Sequence, residues 1–526
     1  MYKINWKICF ESSAPMSGTA EVASGSWRLT PLLPEDVIVS AEAVLQLHTA
    51  EDEKIFINGY QTWTACPEYT RRDKIRGVGP YPRALVRHFG MDRYGDNFFV
   101  DYPQKPGILH GESWCYFRRG EDFRLIASLD ERAGYTMLRY EAGPGVLKIS
   151  RDCAGVHCGG EYRVFELFFA EGGEDAVFDA WFAEMGIKPR TLKKLAGYSS
   201  WYNRYQDISE ACIRTDLDGA AELLRPGDLF QIDDGWEPAV GDWLTTDAKK
   251  FPAGLKPLAD DIHAKGLLAG LWLAPFVCQK NSAIMREHPD WLLLHEGKPW
   301  YCGCNWGGFY ALDIDNPEFA AYLEESFRRV FDDWGFDLVK LDFLYAAAPF
   351  GDKRESRAGR MTRAVELLRR ICGDKLILGC GVPLMPAFGV FDYCRISCDV
   401  GLDWNNNIFV RAANRESVST RRAIFNSVFR RQLSGRAFLN DPDVFFLRED
   451  NIKLSAAQKH KLATVNSLFG GLLLCSDNMG QYTPAAREAY SRLLKTREAK
   501  NIRVHAERGL ALSYELDGEQ IRLDIE

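Results

Sequence analysis

Residues 338–342 read Leu338-Val339-Lys340-Leu341-Asp342, and this short run decides the fold. Side chains alternate across a β-strand with a period of two, so Lys340 and Asp342 share one face. Two charges on a strand this apolar are costly to bury without a purpose. Working outward, comparable apolar runs recur at residues 197–201, 229–233, 268–272, 376–380, 393–397, 437–441 and 472–476. Segments of helical period separate them. Strand and helix patterns alternating for nearly 300 residues are the mark of repeated βα units, and eight such units imply a closed (β/α)8 TIM barrel.

One of the helices can be read in detail. Phe319, Tyr322, Leu323, Phe327, Val330, Phe331 and Trp334 recur at spacings of three and four, with Asn316 placed to cap and Pro317 in the first turn. Some 65 residues lie between the third and fourth strands, more than one crossover helix needs. They include the aromatic, glycine-rich stretch at residues 300–310, and loops of that length are usually functional or disordered.

The flanks read differently. From residue 1 to 185 short apolar segments alternate with Gly, Pro and Asp turns, as in a β-sandwich-like domain. The barrel is assigned residues 186–480. Residues 481–526 begin with a helical stretch and end in a small β segment with a turn at Asp517-Gly518.

At 526 residues the chain is too long for a single core. Its 46% apolar and 26% charged residues are ordinary for a globular protein. A net charge of −8 with no long basic run argues against nucleic acid as partner. No apolar stretch of membrane-spanning length and no export-signal pattern appears, so a cytoplasmic protein with reduced thiols is expected. Cys302 and Cys304 lack a second Cys/His pair at zinc spacing. No His ends a strand, and no phosphate loop or GxSxG elbow is present, so neither metal nor cofactor is expected. No oligomeric state follows from the sequence.

Reactive groups of a parallel barrel stand at the C-terminal ends of its strands. There the sequence places Asp233-Asp234, Trp272, Lys340 with Asp342, Arg395 leading to Asp399, and Asn440-Asp441-Pro442-Asp443. An Asp after a barrel strand often caps the following helix. Several carboxylates beside aromatic residues instead suit a glycosidase, in which one carboxyl protonates the leaving oxygen and another meets the oxocarbenium-like carbon.

These residues resemble the α-galactosidases of glycoside hydrolase family 36, the melibiase group. The resemblance runs from Asn58-Gly59-Tyr60-Gln61-Thr62-Trp63 to Leu439-Asn440-Asp441-Pro442-Asp443. Its most specific pieces are residues 231–237, 270–276, 339–344, 378–384 and 395–399. It implies an N-terminal β-supersandwich, a catalytic (β/α)8 barrel and a small C-terminal β domain. It also implies a retaining exo-α-galactosidase that acts on α-galactoside oligosaccharides through a covalent galactosyl-enzyme. Asp342 is then the nucleophile and Asp399 the acid/base, their carboxyls about 5 to 5.5 Å apart. Asp233 and Asp234 are similar to the pair that reads the galactose hydroxyls. Lys340 donates to sugar hydroxyls and holds Asp342 ionised, Arg395 plays a comparable part near Asp399, Trp272 and Trp63 form pocket walls, and Cys380 lies toward the 2-hydroxyl. Asp403 stands as a second candidate for the acid. An α-N-acetylgalactosaminidase or α-galactosyl transferase with the same chemistry, and a silent carbohydrate-binding protein, are the alternative readings.

Overall fold

The computed structural model describes residues 1–79, 81–89, 91–93, 98, 100, 102–405, 415–507 and 509–526. Its centre is a parallel sheet whose strands we number β1 (Leu195–Ser199), β2 (Leu229–Ile232), β3 (Leu268–Leu273), β4 (Leu338–Leu341), β5 (Leu376–Gly379), β6 (Tyr393–Arg395), β7 (Leu439–Asp441) and β8 (Leu472–Cys475). Each pairs in parallel with the next from β1 to β7, and β8 pairs with β1. Beyond Pro442 the seventh strand resumes as Val444–Phe445, which pairs with β8. The ring therefore closes through one strand interrupted at Pro442, whose missing N–H cannot take part in a ladder. The expected TIM barrel is the observed fold.

All four residues of β2, β4 and β8 are buried, which is why these strands read as near-continuous apolar runs. The helix Pro317–Arg328 starts where the sequence places it: the Asn316 side chain accepts from the N–H groups of Glu318 and Phe319 at 2.9 and 3.1 Å. Phe319, Leu323 and Phe327 form its buried stripe, which continues through Val330 and Phe331 in a π-helical turn. The β3–β4 connection folds into a three-stranded sheet (Val277–Gln279, Tyr301–Gly303 and Phe309–Ala311) before that helix begins.

The N-terminal strands form a seven-stranded and a five-stranded sheet. Ile4 and Ile8 of one pack in the same core as Ile57, Phe117 and Phe169 of the other, which makes the pair a sandwich. After the barrel, helix Pro484–Thr496 leads to the antiparallel strands Lys500–His505, Ala511–Leu516 and Glu519–Asp524. Asp517 and Gly518, with φ of 55° and 81°, close the last hairpin, as a two-residue turn with both φ positive requires. All fourteen cysteines are unpaired.

The sandwich reaches the barrel mouth through residues 58–66. Arg430, fully buried, donates to the Asn58 side chain and to the carbonyls of Thr62 and Ile396. Thr62 takes two bonds at the end of β5: its N–H donates to Val382 O at 3.0 Å, and its hydroxyl accepts from Gly381 N–H at 2.9 Å. This clamp sets Trp63 beside the C-terminal ends of β4 and β5.

Candidate active site

The carboxylates assemble where strands end. Asp342 follows β4, and the alternation that puts it on the face of Lys340 aims both into the mouth. Its Oδ2 accepts from the Trp272 indole at 3.2 Å and its Oδ1 from the Phe343 N–H at 2.8 Å. Phe343 sits at φ 54°, and Tyr205, Trp306 and Asp443 around the same mouth have φ of 49°, 53° and 74°. Non-glycine residues in this region are strained and gather at functional sites.

Lys340 donates to Asp233 Oδ2 at 2.8 Å. Burial disfavours its charge, but the neighbouring carboxylates, Asp233 before Asp342, more than offset this and hold the ammonium above its ordinary range. The sequence reading gives Lys340 to Asp342; the structure gives its direct ion pair to Asp233. Asp233 also accepts from Gln231 at 2.8 Å, and its N–H donates to Ser200 Oγ at 2.9 Å.

Asp234 is held from the opposite side. Its Oδ2 accepts from the indole of Trp306 at 2.8 Å and from Gln206 at 2.9 Å. Burial raises its pKa, hydrogen bonds from Glu237, Trp306 and Gln206 pull it down, and the Asp233 charge raises it again. Glu237 is pushed up further, by burial and then by Asp234. Two neighbouring buried carboxyls disfavour each other's ionisation.

Asp399 lies four residues beyond β6, on a loop whose carbonyl at that residue accepts from Ser419 N–H. Arg395 donates to it at 2.9 Å and distributes its other nitrogens to Asp441 and Asp443, each at 2.9 Å. Although 42% of the Asp399 side chain stays accessible, the atoms packed around its carboxyl raise its pKa. Arg395 and Lys340 lower it, and Asp342 raises it. Asp342 and Asp399 thus lie in one electrostatic field. Cys380 lies in the same field, its thiol pushed up by burial and then by Asp342, against the pull of Arg395 and Lys340. Asp403 meets Thr420 through its backbone carbonyl, at 2.7 Å.

The nine residues assigned to catalysis or sugar binding therefore gather at the barrel mouth; Arg395 meets Asp399 as expected, whereas Lys340 pairs directly with Asp233. Trp272 is only 2% exposed, and it holds Asp342 through its indole nitrogen as part of the pocket floor. Trp63 comes in from the sandwich, with ring centroids 5.3 Å from Phe343 and 5.9 Å from Tyr345. A β-carbon on Gly381 would meet its ring at 2.9 Å, so the close approach requires glycine there. The sequence reading missed Trp306, Gln206, Glu237 and Tyr202. For Trp306 a signal existed, because it lies in the aromatic stretch of the long β3–β4 excursion. Among the described residues no group of three or more His, Cys, Asp or Glu side chains is arranged to hold a metal ion.

A closed parallel barrel with aspartates and indoles at the C-terminal mouth is an arrangement suited to glycoside hydrolysis. Residues 195–366, from the start of β1 into the helix Arg357–Cys372, match the Melibiase family model. It is similar to the α-galactosidase Mel36A of Lactobacillus acidophilus, with 32% identity over 152 residues, 27% of this chain. The matched segment spans 20% of that relative's length. Among solved structures it is similar to TtGalA, an α-galactosidase from Thermus thermophilus in complex with p-nitrophenyl α-D-galactopyranoside. There the TM-score is 0.75 at 25% identity, covering 94% of this chain and 98% of that one. The family 36 α-galactosidase AgaA from Geobacillus stearothermophilus shares the fold, with a TM-score of 0.60 at 14% identity over 97% of this chain and 80% of that one.

Proposed function

We propose that the chain is a retaining exo-α-galactosidase that removes terminal α-linked galactose from oligosaccharides. The observation that carries this reading is that Asp342, just after β4, and Asp399, on the loop after β6, lie in one charged field. Asp342 has both oxygens oriented by N–H donors and acts as the nucleophile. Asp399 is held toward its protonated form and acts as the acid. In the first step Asp342 attacks the anomeric carbon from the β face as Asp399 passes its proton to the departing oxygen. In the second, Asp399 takes a proton from water, which attacks from the α face and releases Asp342.

Asp233 and Asp234, pinned by Lys340 and by Trp306, are acceptors placed for sugar hydroxyls. A site built to satisfy particular hydroxyls rejects an epimer because its buried acceptors are left unpaired. The ligand named for the Thermus structure, an α-galactopyranoside, supports galactose as the sugar. The contact of Trp63 with Gly381 beside Cys380 supports galactose over N-acetylgalactosamine, since an acetamido group at the 2-position needs room there. A panel of 4-nitrophenyl glycosides tests this. The α-galactoside is expected to exceed the α-N-acetylgalactosaminide in kcat/KM by about 100-fold, a scale typical of steric exclusion in a pocket. Preference for the N-acetylgalactosaminide overturns the substrate assignment.

A further inference from the structure

Among the buried carboxyls at the mouth that the chemistry above does not use, Asp443 lies in the network around Asp399. Asp443 follows Pro442, at the point where the seventh barrel strand breaks, and its φ of 74° turns it out of the strand direction. Asp is one of the few side chains that enter this backbone region readily. The turn places both carboxylate oxygens in the network around Asp399. Oδ1 pairs with Arg395 at 2.9 Å, while Oδ2 accepts from the Tyr202 hydroxyl at 2.6 Å and from the N–H of Val400, next to Asp399, at 2.9 Å. With those partners filled and the side chain buried, Asp443 does not reach the sugar. Its partners instead adjoin Asp399: Arg395 pairs with that residue and Val400 follows it in the chain.

We propose that Asp443 is a positioning residue that keeps Asp399 in its proton-donating form, by taking one side of Arg395 and fixing the loop at Val400. This rests on the reading of Asp399 as acid/base. One guanidinium is shared among Asp399, Asp441 and Asp443, so negative charge is in excess at the point where a proton must be stored. Lys340 approaches from β4 with Asp342, but its direct partner is Asp233. Cys380 after β5, Tyr202 and Tyr205 after β1 and the adjacent Cys398 face the same carboxyl and lose their protons only well into the alkaline range. Asp443 itself is raised to about 6, by burial first, against the pull of Arg395 and with the charge of Asp399. Asp443 and Asp399 share one guanidinium, and their negative charges disfavour each other. The sign follows. Removing the Asp443 charge frees Arg395 for Asp399 and lowers the pKa of the acid, so activity that requires the protonated acid is lost at a lower pH.

The test is kcat/KM against pH for wild type, Asp443→Asn and Asp399→Asn, with methyl α-galactoside as a poor leaving group and 4-nitrophenyl α-galactoside as a good one. For Asp443→Asn the alkaline limb with the methyl substrate is expected to move down by about one pH unit, giving about a tenfold loss on that limb. The nitrophenyl substrate, which needs little protonation, loses less than about threefold. If the limb stays in place, or both substrates slow equally, Asp443 is merely structural and the inference fails. Asp399→Asn separates the two readings. If it keeps the wild-type limb, the acid/base assignment falls and the inference with it; if it abolishes the limb while Asp443→Asn leaves it unmoved, only the inference falls. Should Asp443→Asn fail to fold, Asp443→Gly suits the same φ and removes the same charge, with the same expected shift.

Discussion

Asp342→Asn is expected to lower kcat on 4-nitrophenyl α-galactoside by on the order of 10⁴-fold, about 5 kcal/mol in the barrier, while galactose binding changes by less than about threefold. The amide keeps the size of the carboxylate, and its single oxygen can still accept one of the two donors, the Trp272 indole or the Phe343 N–H, that orient Asp342. What it lacks is the negative charge and nucleophilic oxygen needed to form the glycosyl-enzyme. Lys340 remains paired with Asp233, so the sugar-reading side of the pocket is undisturbed. Steady-state kinetics together with calorimetric titration of galactose check this. Near-normal turnover would place the nucleophile elsewhere, and lost binding would mean that Asp342 is structural.

The second large effect separates the two aspartates by stereochemistry. In Asp399→Gly, sodium azide is expected to restore turnover of 4-nitrophenyl α-galactoside by about 10²- to 10⁴-fold, the range that general acid–base assistance supplies, and to yield α-galactosyl azide. The logic is geometric. Asp342 still forms the covalent intermediate on the β face, and azide, which needs no base, attacks it from the opposite face in place of water. In Asp342→Gly, azide instead takes the nucleophile's place and gives β-galactosyl azide. If Asp403→Gly is the variant that yields the α-azide, the acid lies four residues further along the loop than the contact with Arg395 indicates.

How far the sequence carries this account depends on the kind of signal. The strands of the barrel are legible because apolar runs end in polar residues, and the period of two puts Lys340 and Asp342 on one side. Strand ends were less legible. The first strand, expected at residues 197–201, is Leu195–Ser199, because parallel pairing of Leu195 with Leu472 sets its start, while Trp201 already opens a helical turn. The seventh, expected at residues 437–441, begins at Leu439 and resumes after Pro442. Partnerships were least legible of all. That Lys340 pairs with Asp233, or that Trp306 reaches Asp234 from more than 70 residues away, depends on how the β3–β4 excursion folds back over the mouth. No local pattern encodes that path. Asp443 was visible as a strand-end carboxylate, but its inward turn follows from a backbone angle that sequence pattern does not report.

The central claim is that two carboxyl groups, from β4 and from the loop after β6, act in turn on one sugar carbon. The anomeric form of the first-formed galactose, followed by proton NMR before mutarotation, tests it most directly. Double displacement predicts α-galactose as the initial product, relaxing later to the equilibrium mixture. Initial β-galactose would mean a single displacement by water, and would contradict a covalent role for Asp342.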